Sequence, residues 1–183
     1  ICILFTTTTL SSAKILKTLF DAHGKDVSDQ EIAHKVEEKN LYYQSIIEEA
    51  AKDAACPGAI DLIESIRKEK ECFLAVATSA SRREVNAILG EDGLNIERYF
   101  DHILDSSNVR RTKPHPEVYE RTIDYFGVDP KDTLVLEDTG IGIEAGHGAG
   151  AKTIAVPNEY TKHMNFANAD LIISSLTKTA DIL

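Results

Sequence analysis

The feature that most constrains this chain is a repeated exchange between short β-branched runs and amphipathic helical stretches. Residues 72–77 form a near-continuous apolar run, and further strands are expected at 133–136 and 152–156. Runs of that length without polar alternation suit parallel strands covered on both faces. Between them the apolar residues recur at helical spacing, near 3.6 residues. Helices are expected over 82–89, over 116–126, with Pro116 in the first turn and Gly127 at the end, and over 141–149. Shorter strands are expected at 1–5, within 99–104 and at 171–173. A βαβα order of this kind implies a doubly wound, Rossmann-like parallel sheet with right-handed crossovers.

Residues 13–55 break the rhythm, because they carry helical spacing and no strand signal. Ile15, Leu16, Leu19 and Phe20 recur at helical spacing before Gly24, and Ser28-Asp29-Gln30-Glu31 reads as a capping box opening a second, longer helix. Pro57-Gly58 then interrupts the chain before a helix over 59–68 with Ile60, Leu62, Ile63 and Ile66 on one stripe. The expected division is an α/β core of residues 1–12 and 56–183 with a small helical cap, 13–55, inserted after the first strand. Such a cap lies where ligands of open α/β sheets bind.

With 183 residues the chain can bury a core without staples, and Cys2, Cys56 and Cys72 read as reduced core thiols. A net charge of −10 with scattered Lys and Arg argues against a nucleic-acid surface. No apolar run approaches the roughly 18 residues that span a bilayer, and the apolar opening is too short for a signal peptide. A cytoplasmic protein, monomeric or weakly dimeric, is the expectation. The chain opens at Ile1, which suggests a trimmed beginning.

Three strand ends carry the chemistry. Thr78-Ser79 ends the run 72–77 with two hydroxyls that can donate to an oxyanion, or simply cap the next helix. Lys113 stands in Thr112-Lys113-Pro114-His115-Pro116, as a positioned ammonium or a solvated turn residue. Glu137-Asp138 puts two carboxylates at the end of a buried strand, which suggests a hard divalent cation such as Mg²⁺, or an exposed Glu beside an N-capping Asp. His115, beside Lys113 in the turn, and His147, expected to pack on the sheet, are both read as structural, since neither has a Cys or His at metal-ligand spacing.

Together these residues resemble a known family. Thr78-Ser79, Lys113 in a Lys-Pro-x-Pro setting, and Glu137-Asp138 followed by Gly142-Ile143-Glu144-Ala145 are similar to motifs II, III and IV of the haloacid dehalogenase superfamily. The similarity runs from Pro57 to Asn158 and points to the phosphatases and phosphomutases akin to β-phosphoglucomutase. The resemblance implies phosphoryl transfer from a small phosphorylated metabolite such as a sugar phosphate. Thr78, Ser79 and Lys113 would hold the phosphoryl group, and Glu137 and Asp138 would hold Mg²⁺. It also implies a nucleophilic aspartate and an acid/base aspartate two residues later, where this chain has Thr6 and Thr8. A Thr hydroxyl without a base has neither the charge nor the acidity for those roles.

Three accounts of that substitution stay open. The chain binds a phosphorylated ligand without turning it over, its first residues depart from the native ones, or Thr6 itself acts as nucleophile. Lys39 and Asn40 are candidate substrate contacts from the cap. Two readings of other classes also stand. Gly140-x-Gly142-x-x-Ala145 with Glu159 beyond the next strand has the spacing of a dinucleotide fingerprint. Leu41, Tyr42, Tyr43, Ile46 and Ile47 form an apolar patch for a partner, although packing onto the core is the favoured expectation.

Overall fold

The structure is a computed structural model that describes residues 2–5, 12–50, 55–69 and 72–177. Six strands make one sheet: β1 (Cys2–Phe5), β2 (Phe73–Ala77), β3 (His102–Leu104), β4 (Thr133–Glu137), β5 (Lys152–Ala155) and β6 (Leu171–Ile172). Their order is β3-β2-β1-β4-β5-β6, and all five pairings are parallel. The helices are α1 (Ser12–Ala22), α2 (Asp29–Ala50), α3 (Ala59–Glu69), α4 (Arg82–Leu89), α5 (Glu117–Phe126) and α6 (Gly140–Gly148). This is the doubly wound order expected from the alternation, reversing direction between β1 and β4. In such sheets ligands bind outside the carboxyl ends of the strands at the reversal.

Alternation along the strands sends residues to two cores. Ala75, Ala77 and Val135 face α5 and α6, packing with Val118, Tyr119 and Ile123. Leu74, Leu136 and Ile154 face the opposite way, onto Leu62, Ile63 and Ile66 of α3. The first layer is thin because its residues are small. A Cβ on Gly146 would stand 2.9 Å from the Thr153 methyl and 3.3 Å from Val135, so glycine lets α6 lie directly on the sheet. Phe5 pairs in register with both Val76 and Leu136, so the carboxyl ends of β1, β2 and β4 finish level.

Helix ends follow local chemistry. Ser28 and Glu31 form the anticipated box, with the Ser28 N–H donating to Glu31 Oε2 at 3.0 Å and the Glu31 N–H to Ser28 Oγ at 3.3 Å. Gly127 closes α5 with φ of 63°, a left-handed position that favours glycine. Helices α1 and α2 pack on each other, and α2 also rests on α4. Two ion pairs mark that seam, Lys39 to Glu84 at 3.5 Å and Arg83 to Glu37 at 3.9 Å. Among the described residues no helix is long and apolar enough to cross a membrane.

Several expectations need correction. Cys56 is exposed, so it is not a core thiol. His147 faces solvent on α6, because Gly146 occupies the side that meets the sheet. Tyr42 is 71% exposed, with Leu41 and Ile46 also open. The stripe of α2 that meets α4 runs through Asn40, Tyr43 and Ile47, and Leu41, Tyr42 and Ile46 lie off it.

Candidate active site

Lys113 is the centre of the strand-end cluster. It lies in the turn between β3 and α5, follows Thr112, and joins Pro114 through a cis peptide bond. The turn is tied to the first turn of α5. The Glu117 carboxylate accepts the N–H groups of Arg110 at 2.9 Å and Arg111 at 3.0 Å, while the Glu117 N–H donates to His115 Nδ1 at 3.1 Å. His115 is thereby engaged within the turn.

So anchored, the turn drives the Lys113 side chain inward until the residue is 1% exposed. Its ammonium donates to Glu137 Oε1 at 3.0 Å and to the carbonyl of Ala77, the last residue of β2, at 3.3 Å. The Tyr119 ring lies 4.8 Å from it, a cation–π contact. Burial pulls the Lys113 pKa below its ordinary value, and Glu137 opposes that shift. The solvated-turn reading of Lys113 is thus overturned.

Glu137 is equally buried and fully engaged. Besides Lys113, its Oε1 accepts the Tyr119 hydroxyl at 3.4 Å, and Oε2 accepts the Thr139 N–H at 2.7 Å and hydroxyl at 2.8 Å. Burial pushes its pKa up, but the Lys113 charge and the Thr139 hydrogen bonds outweigh that and leave it below the ordinary carboxylate value. Gly142 backs this carboxylate, since a Cβ there would overlap Glu137. Thr139 caps α6, its hydroxyl accepting the Gly142 N–H at 3.3 Å. Asp138 is therefore not the cap, and Glu137 is not exposed.

Asp138 is the carboxylate left free on one side. Its Oδ2 accepts the Asn158 amide at 3.0 Å, whereas its buried Oδ1 accepts no hydrogen bond. Burial, reinforced by the adjacent Glu137 charge, raises its pKa to about 6. A buried carboxylate oxygen repelled by its neighbour is what a hard cation relieves, so this position fits one ligand of a divalent ion. Among the described residues no group of three His, Cys, Asp or Glu side chains comes together to complete such a site.

Thr78 is fully buried, one residue beyond β2; its hydroxyl accepts the Ala80 N–H at 3.0 Å and its own N–H donates to the Leu104 carbonyl at 2.9 Å. Ser79 is half-buried beside it. Neither caps α4; Ser81 does, in a capping box with Glu84. A cavity of about 270 Å³ opens here, with Thr78, Glu137, Asp138 and Asn158 on its polar side and apolar walls from α3 and α4. Thus Thr78, Glu137 and Asp138 share one cavity, and Lys113 reaches its edge through Glu137.

Thr6 and Thr8 lie outside the described residues. Lys39 and Asn40 sit apart from the cluster, at the seam of α2 with α4, where Lys39 pairs with Glu84 and lies 5.4 Å from the Tyr43 ring centre. The dinucleotide reading fails on geometry. Gly142 makes room for the Glu137 carboxylate, a charge that would repel a pyrophosphate, and exposed Glu159 pairs with Lys162 at 2.8 Å. Tyr119, Thr139 and Asn158 escaped the sequence reading. Each left a trace there, Tyr119 on the apolar stripe of α5, Thr139 opening the turn after Asp138, and Asn158 directly after a strand and a proline.

The parallel sheet gathers a buried lysine, two carboxylates and a buried threonine at its reversal point, the place where ligands of open α/β sheets bind. Comparison makes this specific: residues 6–156 match the model of the haloacid dehalogenase-like hydrolases, and the chain belongs to that family, in its branch of phosphatases and phosphomutases. It is 30% identical over 158 residues to the CbbY protein of Rhodobacter capsulatus, covering 86% of this chain and 69% of that one. It is 32% identical over 171 residues to the bifunctional riboflavin kinase/FMN phosphatase of Arabidopsis thaliana, covering 90% of this chain and 44% of that one. It thus spans between less than half and about two thirds of these relatives' lengths. The fold is similar to β-phosphoglucomutase of Clostridium difficile, with a TM-score of 0.82, 22% identity, and 97% of this chain and 92% of that one covered. CbbY of Rhodobacter sphaeroides, solved with xylulose-(1,5)bisphosphate, gives a TM-score of 0.74 at 22% identity, with 97% and 95% covered.

Proposed function

We propose that this chain binds small phosphate monoesters at the β1–β2–β4 strand ends and is built for Mg²⁺-dependent phosphatase or phosphomutase chemistry, which Thr6 and Thr8 leave severely slowed. The observation that carries the reading is the buried Lys113 ammonium, held between the ends of β2 and β4 by Ala77 and Glu137. A buried ammonium at the strand ends is a fixed positive charge, and the resemblance puts the family's phosphate-holding lysine at this place. A relative solved with a sugar bisphosphate, and others named as phosphatases of FMN or carbohydrates, support phosphorylated metabolites as the substrate class.

Lys113 and the Thr78 and Ser79 groups would neutralise and hold phosphate oxygens, because positioning and charge stabilisation dominate phosphoryl transfer. Asp138 would hold Mg²⁺ through Oδ1, with Glu137 supplying negative charge behind it while its oxygens stay on Lys113 and Thr139. Bound Mg²⁺ would neutralise charge on the phosphoryl group. The residues at positions 6 and 8 supply neither a nucleophilic carboxylate nor a proton donor, so the barrier to the chemical step remains high. Lys39 and Asn40 stand at the α2–α4 seam as candidate contacts for the rest of the substrate.

The test is phosphate release from a panel of sugar and nucleotide monophosphates, with Mg²⁺ and with chelator, alongside orthovanadate binding by calorimetry. Vanadate binding with little turnover is expected, and Thr6→Asp/Thr8→Asp should raise Mg²⁺-dependent release by at least about 100-fold, given what loss of one member of a catalytic unit removes. A folded double variant with no gain, together with no vanadate binding in either protein, overturns the reading.

A further inference from the structure

Strand alternation gives the cavity beside the site two unlike ends. Thr78 follows Val76 by two residues, Asp138 follows Leu136 and Asn158 follows Val156, and all six line the same cavity. The sheet side of the cavity is therefore aliphatic within and polar at the carboxyl rim. Opposite, α3 contributes Ala59, Ile60 and Ile63, and α4 contributes Val85, Ile88 and Leu89. None of these side chains can donate or accept a hydrogen bond. At about 270 Å³ the space exceeds the roughly 150 Å³ in which an aliphatic cavity holds one benzene molecule.

We infer that this cavity takes an apolar arm of the substrate, such as a short alkyl chain or one aromatic ring, so that the chain prefers phosphate monoesters of apolar alcohols to those of sugars. The inference rests on the reading that the phosphoryl group is held at Thr78, Ser79 and Lys113. With that group at the polar rim, the ester oxygen carries its carbon chain toward walls that reward methylene groups. A sugar hydroxyl sent the same way leaves water and finds no partner, at a cost that offsets its contacts. A few polar groups fixing one end of a mainly apolar pocket is also the usual composition of a small-molecule site.

Methyl, butyl and phenyl phosphate and a glucose monophosphate are titrated into the full chain by calorimetry. Each buried methylene is worth about 4-fold in affinity, so butyl phosphate should bind on the order of 50-fold more tightly than methyl phosphate, and the glucose ester no more tightly than methyl phosphate. Ile60→Phe and Ile88→Phe, one from each helix, fill the cavity and should cut the butyl-to-methyl ratio by about 10-fold while methyl phosphate binds as before. Benzyl alcohol, which carries a ring and no phosphate, should compete with butyl phosphate and leave methyl phosphate unaffected, a readout that needs no variant. Equal affinity for methyl and butyl phosphate, or a ratio that neither a folded variant nor benzyl alcohol alters, overturns the inference and leaves the phosphate reading standing. Binding of no ester and no vanadate removes both.

Discussion

Replacing Lys113 with Met isolates the charge at the centre of the site, because the thioether chain refills most of the volume of the lysine stem. The ion pair it breaks is 3.0 Å long and both side chains have no exposed surface. Removing one partner of such a pair leaves the other as an uncompensated buried charge, which destabilises by about 3 to 5 kcal/mol. Glu137 would still accept from the Thr139 N–H, the Thr139 hydroxyl and the Tyr119 hydroxyl, so the lower end, about 3 kcal/mol, is expected. For a chain of this length that is a fall in melting temperature of roughly 6 to 12 °C. Urea unfolding at pH 7 measures it directly.

The double variant Lys113→Met/Glu137→Gln removes the orphaned charge and should recover about 2 kcal/mol. Acidity provides a second check. Lys113 is one of the groups that hold the Glu137 pKa down, so its removal moves that pKa upward, the native variant takes up the proton more readily, and the deficit of Lys113→Met shrinks as pH falls into the carboxylate range. A loss under about 1 kcal/mol, or losses that simply add in the double variant, would refute the view of Lys113–Glu137 as one desolvated unit.

Asp138→Asn should stabilise the protein in chelator. With a native pKa of about 6 against 3.8 for the free group, the native state binds more protons between those values, so this carboxylate's contribution to stability falls as pH rises from 4 to 6. After discounting for its half-buried position the variant gains about 1 to 2 kcal/mol at pH 7 and nothing at pH 4, and an equal gain at both would exclude ionisation as the cause. Gly142→Ala forces a methyl group into the Glu137 carboxylate and should lower stability by about 1 to 3 kcal/mol. Its control is Gly148→Ala, whose Cβ would meet Pro116 at 3.5 Å and should be neutral or stabilising in thermal melts.

Much of this architecture is legible in the sequence because it is periodic. Unbroken apolar runs between amphipathic helices specify a buried parallel sheet, and the strand ends then bring Thr78, Glu137 and Asp138 together without further information. Lys113 is different. Nothing in its flanking prolines tells whether the side chain turns inward, since that depends on Glu117 gripping the turn and on an acceptor 24 residues away. The division of labour between Glu137 and Asp138 is likewise invisible to spacing, because Tyr119, Thr139 and Asn158 decide it through contacts from three separate elements. Periodicity also locates the apolar patch of α2 without telling whether anything covers it, which is why Tyr42 proved open.

The Lys113 ammonium reaches across 36 residues to Ala77 and 24 to Glu137. Neither acceptor exists in its final place until β2 and β4 have aligned on β1, so the ammonium cannot shed its water until the sheet is assembled. The Lys113–Glu137 pair therefore forms with the assembled sheet and departs with global unfolding, not with the fraying of a loop. The Thr139 amide proton, held on the same carboxylate, should accordingly exchange with solvent as slowly as those of the central strands.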